Sequence, residues 1–194
     1  MSALDVAGSL GYAVLPAAVA VESAGVPVPG EATLITAAVL AAEGRMHISA
    51  VIALAAAGAI VGDNIGYLLG RRLGRRALVA RGPGRRVRRS ALDAGEALFA
   101  RYGGAAIFVG RFVAVGRVAI AWLAGAEQMR WRRFAAWNAA GSVAWATTVG
   151  GIAFALGTAG TRWLAAAGLA LTAVAFVRLW RDGRARRRRA SRAA

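Results

Sequence analysis

A chain of 194 residues, 58% of them hydrophobic and with a mean hydropathy of +0.53, carries more apolar side chain than one soluble domain of this length can hide. A bilayer is therefore expected to be part of its solvent. The net charge of +16 arises from 25 basic residues, all arginine, against nine acids, and the arginines bunch at Arg71–Arg89 and Arg178–Arg192 beside apolar runs. That is the pattern of cytoplasmic loops meeting anionic headgroups rather than of a nucleic-acid interface. There is no cysteine and His47 is the only histidine, which excludes disulfides, thiolate metal sites and cysteine nucleophiles. No nucleophile-elbow pattern surrounds His47, so no metal, cofactor or enzymatic activity is expected. Met1 to Gly11 has no basic n-region, and no cleavable signal peptide is expected.

In chain order, apolar runs bounded by breakers give about six membrane-embedded segments, at 7–21, 25–42, 48–70, 105–126, 134–157 and 161–180. Glu22 follows the first. The second opens with Pro27-Val28-Pro29-Gly30-Glu31, which cannot be continuous helix. In the third, Gly58, Gly62, Gly66, Gly70 and Gly74 recur on every fourth residue and leave one helix face nearly bare. Such a face lets another backbone approach closely; tight packing within the chain is the favoured use, with a homodimer face as the alternative. The fourth segment carries Arg111 and Arg117 among apolar residues.

Charge parity divides these segments. If loop 71–89 and the basic tail 182–194 are both cytoplasmic, an even number of crossings separates them, yet three apolar segments lie between. Segment 105–126 is the one expected to re-enter, and 25–42 would be its mirror image from the outer face. Sliding the chain along itself until Leu40 falls on Leu123 also places Met46 on Met129, Gly58 on Gly141, Leu73 on Leu156 and Gly74 on Gly157. The expected fold is all-α and integral to the membrane: an inverted repeat of re-entrant hairpin plus spanning helix. About four helices would span and two hairpins re-enter, in one membrane domain over 1–181.

Ionisable groups at membrane depth are costly and therefore functional candidates. At a hairpin break, Glu22 and Glu31 could exchange protons with a hydrated cavity; alternatively, Glu31 caps a helix start. Arg111 and Arg117, six residues apart in Gly110-Arg111-Phe112-Val113-Ala114-Val115-Gly116-Arg117, could point into one cavity if the segment bends at Gly116. Guanidinium binds phosphate bidentately and stays charged, which suits an anionic headgroup. The alternative is permanent pairing with Glu22 or Glu31, or snorkelling to the interface. Asp63 could hydrogen-bond Tyr67, four residues on, or reach Arg71. Asn138 and Trp145 read as packing and interface anchors, with Asn138 kept as a supporting site residue alongside Asp63 and Tyr67.

Two stretches of sequence resemble the DedA family, whose domain is also called VTT. The first runs from Glu22 through Pro27-Val28-Pro29-Gly30-Glu31 to Gly62-Asp63-Asn64-Ile65-Gly66-Tyr67-Leu68-Leu69-Gly70-Arg71-Arg72-Leu73-Gly74. The second comprises Gly110-Arg111-Phe112, Arg117, Ala124-Gly125, Met129, Arg133-Phe134, Asn138, Gly141 and Trp145. The resemblance covers about residues 15–157. It implies a multi-pass protein of the bacterial inner membrane that returns undecaprenyl or another polyprenyl phosphate, or a phospholipid, across the bilayer with proton coupling. It also implies that Glu22 and Glu31 carry protons and that Arg111 and Arg117 bind the phosphate. Membrane lipids are then the partners. A proton or cation antiporter, or a non-catalytic membrane assembly protein, are the rival readings. Ala114 and Ala121 stand where the family usually has prolines, which loosens the expected break in the second hairpin.

Overall fold

A computed structural model describes residues 3–26, 28–78, 85–112 and 117–157, with side chains from residue 11 onward except 75–91, 94, 117 and 118. Within these bounds the chain is helical throughout, without a strand. The helices are α1 (Ala3–Ala24), α2 (Gly30–Ala42), α3 (Ile48–Leu78), α4 (Arg85–Tyr102), α5 (Ala106–Gly110), α6 (Arg117–Ala126) and α7 (Trp131–Gly157), with a 3-10 turn at Gly103–Ala105. The expected segment 161–180 and the tail 182–194 lie outside the described residues.

The expectation for 25–42 is corrected in its detail. This segment is not a hairpin by itself; 30–42 forms the single helix α2, which pairs with α1 across the connection at 25–29. The break falls there because Gly25, at φ 112°, closes α1, with Gly25 N–H bonded to Glu22 O at 3.0 Å and Val26 N–H to Val21 O at 3.2 Å. Pro29 then caps α2. The arginine-rich stretch also differs from a plain loop, because α4 occupies 85–102. Its Leu92 is buried beside Leu123 of α6, an amphipathic pattern that the arginines obscure in the sequence.

The glycine stripe forms a seam inside the chain. A Cβ at Gly58 would lie 2.9 Å from Pro16 Cα, and one at Gly62 2.6 Å from Ser23 Cβ, so α1 crosses α3 at backbone contact. A Cβ at Gly66 would lie 3.0 Å from the Trp122 ring, and one at Gly70 2.9 Å from Trp122 Cα, so α6 takes the following stretch. Gly125 returns the contact, against Tyr67 and Arg71. The dimer-face reading of these four glycines is thereby corrected: α1 and α6 cover them. Gly74 leaves the stripe altogether, since its φ of 67° ends the straight part of α3.

α3 and α7 run antiparallel. Ile52 of α3 lies against Gly150 of α7, Ile60 O accepts Asn138 Nδ2 at 3.3 Å, and Tyr67 stacks on Phe134 with ring centroids 4.5 Å apart. The straight part of α3, Ile48–Gly74, and α7, Trp131–Gly157, each have 27 residues, and both end in a positive-φ glycine. The register that places Leu40 on Leu123 makes the two helices coincide end to end, Ile48 on Trp131 and Gly74 on Gly157. The helices before them end alike as well. In α2, Arg45 N–H bonds Leu40 O and Gly44 N–H bonds Ala41 O, while in α6 Met129 N–H bonds Ala124 O and Gln128 N–H bonds Gly125 O.

Each long helix extends about 40 Å, enough to cross the roughly 30 Å hydrocarbon core of a bilayer. Val61, Ile65 and Leu68 on α3 and Val143, Ile152 and Phe154 on α7 remain exposed, an apolar exterior suited to lipid. Inside, one apolar cluster joins Leu15, Leu34, Val51, Ala55 and Trp145, and a second joins Tyr67, Ile107, Ile120, Ala124 and Phe134. Exposed Arg71, Arg72, Arg130, Arg132 and Arg133 gather at the end of the α3–α7 pair nearest the second cluster.

Gly70→Ala is expected to drive a Cβ into the Trp122 backbone, which cannot swing aside, and to lower stability in detergent by about 1–3 kcal/mol. Gly151→Ala, where nothing lies within 4 Å, is the control and is expected to gain up to about 1 kcal/mol from helix propensity. Thermal unfolding of the two variants checks both.

Candidate functional site

Between the two apolar clusters lies a polar layer built from three elements. α3 contributes Asp63, the end of α5 contributes Arg111, and α7 contributes Asn138 and Ser142 one turn apart. Exposure is 5% for Asp63, 6% for Arg111 and 0% for both Asn138 and Ser142. Arg111 Nη1 forms an ion pair with Asp63 Oδ2 and also donates to Asn138 Oδ1 at 3.1 Å. Its guanidinium carbon lies 5.7 Å from the centre of the Trp145 ring. Asn138 is oriented by its neighbours: Nδ2 donates to Ile60 O at 3.3 Å, which turns Oδ1 toward Arg111. Ser142 Oγ donates to Asn138 O at 2.7 Å and also lies 3.3 Å from Oδ1. Gly141 lets the α5 backbone come close to α7, since a Cβ there would lie 3.3 Å from Phe108 Cα.

Segment 105–126 is interrupted. α5 ends at Gly110, α6 begins at Arg117, and a Cβ on Gly110 would run into the Ile120 side chain, so the two arms lie against each other. Ala121 is buried within an unbroken α6. Ala114 and the expected bend at Gly116 lie outside the described residues, as does the side chain of Arg117.

The acids of the first hairpin behave differently from each other. Glu22 Oε2 accepts the Glu31 N–H at 3.0 Å and so caps the first turn of α2, the task the sequence suggested for Glu31. Gly30 permits this, because a Cβ there would lie 2.6 Å from that same oxygen and 2.9 Å from Ala18 O. Glu31 itself is exposed beside the cap. Trp122 Nε1 donates to Ala24 O at 3.3 Å, which joins the second hairpin to the end of α1.

Asp63 thus pairs with Arg111, and Arg111 has an acid partner other than Glu22 and Glu31. Tyr67 instead donates to Met129 O at 2.5 Å and accepts Arg71 Nη1 at 2.7 Å, tying α3 to the connection before α7. Asn138 is a bonded centre rather than a packing residue. Ser142 escaped the sequence reading. Its signal was the four-residue spacing from Asn138, which puts both on one helix face.

The VTT domain family model matches residues 28–155. The chain is 38% identical over 163 residues to an uncharacterized membrane protein of Mycobacterium tuberculosis, covering 79% of this chain and 72% of that one. It is 33% identical over 153 residues to an uncharacterized membrane protein of Synechocystis, covering 79% and 70%. It is 35% identical over 121 residues to protein DedA of Escherichia coli, covering 60% and 54%. No solved structure matches.

Arg111→Ala leaves Asp63 buried without its cation and is expected to cost about 3–5 kcal/mol. The double variant Arg111→Ala/Asp63→Ala is expected to lose less than the sum of the two single losses. Glu22→Ala is expected to cost about 1 kcal/mol through the lost cap, and Glu22→Gln, which keeps an acceptor, less. Denaturant unfolding in detergent measures all of these.

Proposed function

The chain belongs to the VTT-domain family that includes DedA, and from that premise we propose that it moves a phosphate-bearing lipid across the bacterial inner membrane. The candidates are undecaprenyl or another polyprenyl phosphate, or a phospholipid. In this reading α3 and α7 span the bilayer. The helix Gly30–Ala42 is about 20 Å long, short of a crossing, and with α1 forms one re-entrant hairpin, with α5 and α6 forming the other. The end bearing Arg71, Arg72, Arg130, Arg132 and Arg133 faces the cytoplasm.

The observation that carries the proposal is Arg111, a guanidinium buried to 6% exposure at the break of the second hairpin. It stays charged at any physiological pH, and its fork matches phosphate geometry. Arg117, six residues on, is the second grip on the headgroup. Glu22 and Glu31 take and release the coupling proton. Protonating Glu22 would weaken its hold on the start of α2, which links proton uptake to the position of the first hairpin. The lipid tails stay in the bilayer while the head passes between the hairpins. No covalent chemistry is part of this reading.

Pure protein in liposomes is expected to accelerate leaflet exchange of labelled polyprenyl phosphate or phospholipid. Arg111→Ala should abolish that exchange, and Glu31→Gln should remove its dependence on a proton gradient. Wild-type vesicles that move neither lipid would refute the proposal, and proton flux coupled to a cation and indifferent to Arg111→Ala would favour an antiporter.

A further inference from the structure

Resting on the phosphate reading of Arg111, we propose that Asp63 is the resident counter-ion of that site: its carboxylate occupies the guanidinium in the empty protein, and a phosphate monoester displaces it.

The internal repeat supplies the first argument. In the register that superimposes Gly74 on Gly157, the positions equivalent to Asp63, Asn138 and Ser142 are Ala146, Ala55 and Ala59, and the position equivalent to Arg111 is Val28. All three alanines are buried in the first apolar cluster. The same helix crossing is thus built once from alanine and once from a charged network. The scaffold does not require the ion pair, and a buried pair is weak glue compared with well-packed apolar side chains. Its presence in one half only points to chemistry.

The second argument is mechanical. Asp63 sits in the straight part of α3, next to Gly62, where α1 lies at backbone contact. Asn138 is held by Ile60 O and Ser142. Arg111 ends a helix of five residues. The anion and the amide are therefore pinned, and the cation is carried by the shortest element of the three. Both described bonds of the guanidinium pass through Nη1. A phosphate taking the guanidinium fork would bring a second anion beside Asp63 at low dielectric, and the two cannot share one cation, so headgroup and carboxylate exclude each other. Asp63 keeps the empty site electrically satisfied within the bilayer and speeds release by reclaiming Arg111.

The test uses the full chain in phosphatidylcholine nanodiscs, titrated with a short-chain polyprenyl phosphate and separately with inorganic phosphate, alongside leaflet exchange in liposomes. Asp63→Asn is expected to bind the lipid phosphate tighter, on the order of tenfold, while exchanging it more slowly. Asp63→Glu is expected to restore both toward wild type. A residue with only a structural role would weaken binding and exchange together. Equal or weaker binding by Asp63→Asn, with wild type active, overturns the counter-ion role and leaves the transport reading intact. Wild type that binds neither probe overturns the phosphate reading, and this inference with it. The same tightening for inorganic phosphate would assign the site to the phosphate group itself; tightening for the lipid alone would assign it to the lipid headgroup. If Asp63→Asn does not fold, infrared spectra of wild type labelled with 13C-aspartate decide: a carboxylate stretch that shifts on adding phosphate supports displacement, and an unmoved one overturns it.

Discussion

The buried charge of Arg111 is the constraint that the polar layer is built to meet, and Asp63 meets it. A guanidinium at 6% exposure must be compensated where it lies, because water cannot reach it and hydrocarbon offers nothing. Asp63 meets the charge from α3 and Asn138 adds a neutral acceptor from α7, so one side chain on a short helix is tied to both long helices. The pair lies between two apolar clusters that share no buried residue.

The helices around this layer pack closely because α3 presents bare backbone. Gly58 and Gly62 admit α1, Gly66 and Gly70 admit α6, and any side chain at these positions would hold the hairpins off by its own width. Close approach also explains the bond from Trp122 to Ala24 O, by which the two hairpins touch each other as well as the helix between them. Within lipid, where apolar burial drives little helix association, such backbone packing and a few polar contacts supply the cohesion.

The two halves share a scaffold and differ in chemistry. α3 and α7 match in length, in their terminal glycines and in the turns that precede them, yet the charged layer has alanines at its equivalent positions. The first hairpin carries acids, with Glu22 folded back as a cap on α2, and the second carries arginines. In the proposed mechanism a handful of substitutions assigns anion binding to one half and proton exchange to the other.

Membrane character, the location of the two long apolar helices and the break at 25–29 were legible in the linear chain, because each is a property of local composition or of spacing. The glycine spacing likewise announced a close-packed face. Which helices would use that face, and which acid would meet Arg111, were decided only by the tertiary structure. Asp63 and Arg111 are 48 residues apart, and nothing local distinguishes Asp63 from Glu22 or Glu31 as a partner. The antiparallel crossing of α3 and α7 brings Asn138 to Ile60 and leaves Asp63 facing the end of α5. The cap on α2 followed the same rule: the sequence pointed to Glu31, and Gly30 let Glu22 take the task instead. Local sequence determined which residues need partners, and helix packing determined which partners they found.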